Sequence, residues 1–147
     1  MEIKKLYTGR AIASFLLVLF SMPLGHGLMI AIAMTIFILV VSLIPIPETP
    51  LSGITLIDKW THIGLYTVLG MIVAHEYFHN HKPVTPKGMF LGVWLLPSLL
   101  GGGIELLQAY CTNGNRSGEW LDFIADIIGS TIALAIGTLL VRFLSKQ

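Results

Sequence analysis

Trp120-Leu-Asp-Phe-Ile-Ala-Asp-Ile-Ile-Gly-Ser-Thr-Ile-Ala-Leu-Ala-Ile-Gly-Thr-Leu-Leu-Val-Arg142 is the stretch on which the fold turns. As a helix it is about 35 Å long, enough for a bilayer core of ~30 Å. Its two acids, Asp122 and Asp126, lie near its start, and its one base, Arg142, ends it. Between them Ala125, Gly129, Ala133 and Gly137 recur every fourth residue. Such a stripe of small residues lets two helix backbones approach closely. Asp122 and Asp126 lie beside the stripe on the helical wheel, so they are expected to face protein rather than lipid.

The rest of the chain agrees with a lipid-facing surface. Of 147 residues, 54% are hydrophobic and 12% charged, and the mean hydropathy is +0.81. A soluble domain averages about 25% charged residues, so this one could not cover a water-facing surface in the usual way. Net charge is +1, which gives no electrostatic basis for binding nucleic acid. Cys111 is the single cysteine, so no internal disulfide forms.

Working back from Trp120, Cys111 to Glu119 reads as a polar turn, and Gly88 to Ala109 as a span that Pro97 should kink. Lys59 to Ala74 reads as another span, followed by the polar segment Glu76 to Lys87. Leu28 to Leu43 is a further apolar run, stopped by Pro45, Pro47 and Pro50. Residues 1–27 hold Lys4, Lys5, Arg10 and a short apolar stretch, Ala11 to Met22. At about 18 Å that stretch falls short of a bilayer core. It resembles a signal-peptide core without a small-residue cleavage site, and reads as an interfacial or re-entrant helix. The expectation is an all-α integral membrane protein: a four-helix transmembrane bundle over residues 28–147, behind that short N-terminal helix.

Four crossings with both termini inside place Lys4, Lys5, Arg10, Lys82, Lys87, Arg142 and Lys146 on the cytoplasmic side, against Lys59 and Arg116 outside. Five crossings divide the charges almost evenly, so the positive-inside rule favours four. Trp60 and Trp120 then share the outer aromatic belt. Three helix ends meet that outer surface with polar pairs: Asp58 and His62, Glu105 and Gln108, Asp122 and Asp126. Spacings of three or four put each pair on one helix face. Lys59 lies within the first pair and Arg116 on the last turn. Ionisable groups in a membrane are costly and face a bundle interior or a watery cavity. Two readings follow. In one, Asp58 or Glu105 pairs with Arg116 or Lys59 as a structural brace. In the other, the cluster is a site: the carboxylates hold a divalent cation, or Arg116 and Lys59 grip a phosphate.

These motifs, in this order, resemble the VanZ-like family, named for a teicoplanin-resistance protein. The resemblance rests on D-K-x-x-H at Asp58 to His62 with Tyr66 and Gly70, on E-x-x-Q at Glu105 to Gln108, and on R-x-G-[ED]-W-x-D-x-x-x-D from Arg116 to Asp126 with Gly129 and Gly137. It covers about residues 28–142. It implies a small multi-spanning protein of a bacterial-type cytoplasmic membrane, with a part in tolerance to glycopeptide or lipoglycopeptide antibiotics. The partners it implies are membrane lipid and a lipid-linked envelope precursor or lipoglycopeptide. It supplies no reaction mechanism.

One sharper motif competes. His75-Glu76-Tyr-Phe-His79 matches H-E-x-x-H, which on a helix would set two histidines on a zinc ion with Glu76 as general base. A third ligand is needed, and His62 is about 20 Å away along a helix. The alternative reading is a basic, solvated stretch near lipid head groups. Cys111 and His26 read as a bystander and a turn residue.

Overall fold

The computed structural model describes residues 26–44, 56–80, 83–112 and 118–144. These form four helices: α1 (Gly27–Leu43), α2 (Ile57–Asn80), α3 (Pro86–Cys111) and α4 (Trp120–Leu144). No strand occurs among the described residues. The expected N-terminal helix over Ala11 to Met22, the Pro45 to Pro50 segment and Arg116 lie outside them. At 26 and 25 residues, α3 and α4 are long and apolar enough to cross a membrane; α1 is apolar but only 17 residues long.

Helix limits follow from local chemistry. The expected span ending at Ala74 instead continues to Asn80. Nothing from His75 to Asn80 breaks a helix, and the Asn80 amide bonds the Glu76 carboxylate one turn back. Thr85 opens α3: its hydroxyl accepts the Gly88 N–H at 3.1 Å, with Pro86 at the first helical position. Pro97 has no N–H to give the carbonyl four residues earlier. Just before it, Phe90–Leu95 widens into a π-helical turn, closed where the Leu96 N–H bonds Leu91 O five residues back. The sequence predicts a kink at Pro97; the backbone meets the missing donor with a wider turn.

The most extensive contact is between α2 and α4. It runs along the small-residue stripe, whose four members are all buried. A Cβ on Gly129 would sit 2.6 Å from Ile63 O and 3.0 Å from Tyr66 Cβ. One on Gly137 would sit 2.9 Å from Ala74 Cβ. The backbones come so near that the Thr67 hydroxyl, already bonded to Ile63 O, lies 3.2 Å from Gly129 O. Ala133 faces Gly70 between them. α3 packs against α4 through Gly101 and Gly102, and Trp94 Nε1–H donates to Thr131 Oγ1 at 2.9 Å. Met71, Ala74, Met89, Val93, Ala133 and Val141 form one apolar core; Ile38, Tyr66, Leu69 and Ile104 form a second. α1 is peripheral, with Leu28, Met29, Ile32, Ile36, Phe37 and Val40 exposed. The Gln108 amide, donating to Ser42 O at 2.7 Å, pins it to α3.

Glycine position therefore decides what a larger side chain does. Gly129→Leu and Gly137→Leu should each destabilise the bundle by about 1–3 kcal/mol through overpacking. Gly64, with no atom within 4 Å of a built Cβ, should accept alanine and gain up to ~1 kcal/mol of helix propensity. Unfolding in mixed detergent micelles measures all three.

Candidate functional site

The same α2–α4 contact brings the ends of three helices together. Asp58, Lys59 and His62 occupy the first turns of α2. Asp122 and Asp126 occupy the first two turns of α4. Glu105 lies between them on α3. Five carboxylates, counting Glu119, meet one lysine and one histidine here.

Two sub-sites share this ground. In the outer one, Lys59 Nζ lies 2.7 Å from Asp122 Oδ1, 2.6 Å from Glu119 Oε2 and 3.6 Å from Asp58 Oδ2. The Asp122 side chain is 6% exposed and that of Asp58 49%, so the charge of Asp122 depends on Lys59 far more than that of Asp58 does. The inner sub-site is buried. His62 Nδ1 and Asp126 Oδ1 are 2.8 Å apart, with the two residues 7% and 0% exposed. With the carboxylate ionised, Nδ1–H is the donor. Tyr66, one turn after His62, lies parallel to its ring at a 6.4 Å centroid distance. The Glu105 carboxylate accepts the Glu119 N–H at 2.8 Å through Oε2. Among the described residues, no donor reaches Glu105 Oε1 or Asp126 Oδ2, and both are buried. Ligand atoms of His62, Glu105 and Asp126 lie within 4.8 Å of one another, and so do those of Asp58, His62 and Asp122.

Of the side chains that the sequence singles out, Asp58, Lys59, His62, Glu105, Asp122 and Asp126 meet here. Gln108 is turned to α1, and Arg116 is outside the described residues. Glu119 is a member that helix-face spacing does not find, because it precedes α4. Its carbonyl accepts the Asp122 and Phe123 N–H groups, and its signal in sequence is an acid at a helix N-terminus. Asp126 Oδ2 points at Gly101, where a Cβ would collide with it, so Gly101 makes that room.

At His75 and His79 the rings lie 4.5 Å apart, and His75 is buried. Glu76 bonds Asn80. Among the described residues, no three-ligand group includes these histidines. No protein-family model, curated protein or solved structure matches this chain.

The outer sub-site makes a graded prediction. Lys59→Met leaves Asp122 without its cation and should cost about 1–3 kcal/mol, toward the low end for a partly solvated group. Asp58→Asn should change stability by less than about 0.5 kcal/mol. Adding Asp122→Asn to Lys59→Met should restore most of the loss. Equal effects of the two single substitutions in a detergent-unfolding assay would refute this charge distribution.

Proposed function

We propose that this chain is a VanZ-like membrane protein whose polar site binds an anionic or polar head group at the outer face of a bacterial-type cytoplasmic membrane. The head group belongs to a lipid-linked envelope precursor or a lipoglycopeptide, and its binding contributes to antibiotic tolerance. In this reading α1 to α4 cross the bilayer four times, with both termini inside. The observation that carries it is the buried convergence of His62, Glu105 and Asp126 beside the Lys59 cluster. So much desolvated charge at one end of an apolar bundle opposes folding unless it serves a ligand.

Other features support the orientation. Trp60 and Trp120 are 64% and 70% exposed at the cluster end, as interfacial anchors are. Lys87 and Arg142 mark the far ends of α3 and α4. Ile124, Ile128, Ile132, Leu139 and Phe143 give α4 an exposed apolar face suited to lipid. Arg116, in the sequence between α3 and α4, supplies a cation for a phosphate.

Topology is tested by cysteine labelling in intact cells, after Cys111→Ser. Gly114→Cys should react with an impermeant reagent, and Val84→Cys should not. Labelling of both would sink the four-crossing reading. Function is tested by growth under teicoplanin. Glu105→Gln and Arg116→Gln should each remove tolerance while expression and melting stay near wild type, since volume and hydrogen bonding change little. Full tolerance in both would leave the cluster a structural brace.

A further inference from the structure

Two oxygens in the inner sub-site have no donor among the described residues. Glu105 Oε1 and Asp126 Oδ2 are buried without a hydrogen bond, while their sister oxygens accept the Glu119 N–H and face His62 Nδ1, each at 2.8 Å. The residues are 7% and 0% exposed. Gly101 lies one turn before Glu105 on the same face of α3 and abuts Asp126 Oδ2, so both oxygens border the same α3–α4 seam. An unmet carboxylate oxygen in an apolar interior opposes folding. Lys59 cannot serve them, because it is held by Asp122 and Glu119.

We propose that His62, Glu105 and Asp126 form a binding site for one divalent cation of the Mn2+ or Zn2+ class. Their ligand atoms already lie within 4.8 Å of one another, near enough for small side-chain adjustments to bring all three onto one ion at about 2.0–2.2 Å. One imidazole and two carboxylates suit a borderline cation. They fall well short of the six to eight oxygens that Ca2+ takes. Three protein ligands leave coordination positions open. There the cation would take a phosphate or other anionic oxygen of the head group; this use, unlike the binding itself, rests on the function proposed above. A cation also explains why so acidic a cluster would receive an anionic ligand: it reverses the local charge.

The full chain, purified in detergent and stripped with chelator, is titrated with Mn2+ by electron paramagnetic resonance, then with Zn2+ in competition. One equivalent of Mn2+ should bind and be displaced by Zn2+. Affinity should rise with pH as protons leave the ligands. Glu105→Gln and Asp126→Asn should each weaken binding roughly tenfold or more. Glu105→Gln keeps the acceptor for the Glu119 amide, so it gives a folded variant, checked by melting, even where Asp126→Asn does not. Asp58→Asn should bind within about twofold of wild type. Overturning results are no stoichiometric Mn2+ or Zn2+ in the wild type, undiminished binding in Glu105→Gln, or loss of binding in Asp58→Asn, which would put the ion with Asp122 instead. Lost tolerance in Glu105→Gln with no cation in the wild type would remove the cation and leave the head-group function standing. Stoichiometric cation with tolerance intact in Glu105→Gln would do the reverse.

Discussion

The backbone approach of α4 to α2 at Gly129 sets the geometry of everything around it. A Cβ on Gly129 would lie only 2.6 Å from Ile63 O. One turn toward the N-termini of these two parallel helices, that closeness puts His62 and Asp126 within 2.8 Å. One more turn puts Lys59 within 2.7 Å of Asp122. The small residues let these side chains, short or stiff apart from lysine, meet directly between the two helices. Small residues in the middle of the bundle thus make a polar site at its end. Residues that carry chemistry and residues that carry packing alternate along the same faces of α2 and α4.

The arrangement also explains how an acidic cluster is tolerated. The outer acids share Lys59 and retain some water, Asp58 most of all. Inside, Asp126 faces His62 and Glu105 takes a backbone N–H. That leaves two buried oxygens unmet, which is where structure alone stops accounting for the residues. A brace would be better built from a hydrophobic pair or from one acid and one base. In the proposed cation site, the stability that three buried polar side chains from three helices cost is returned by the ion through mass action.

Much of this was legible in the residues. The four-residue repeat from Ala125 to Gly137 marks the face that meets α2, and four-residue spacing puts Asp122 with Asp126 and Asp58 with His62. Face arithmetic fails where the backbone departs from a regular helix or where the partner is not local. Glu119 lies before α4 and reaches Lys59 from outside any wheel. Gln108 shares a face with Glu105 by spacing, yet binds Ser42 because α1 packs there. The end of α2 depends on Pro83 as the first breaker, so hydropathy alone stops it too early, at Ala74. The H-E-x-x-H pattern is helical on α2, as its spacing requires, but spacing within one helix cannot reveal whether a third ligand comes from another.

The central claim is that α2 and α4 hold His62 and Asp126 as one buried, mutually dependent pair. A double-mutant cycle with His62→Gln and Asp126→Asn, read by unfolding in mixed micelles, tests it directly. Residues in such contact couple, and the account predicts an interaction of about 1–3 kcal/mol, with the double variant more stable than the sum of single losses allows. Additive losses, with coupling below about 0.3 kcal/mol, would mean that the two side chains do not meet and would contradict the account.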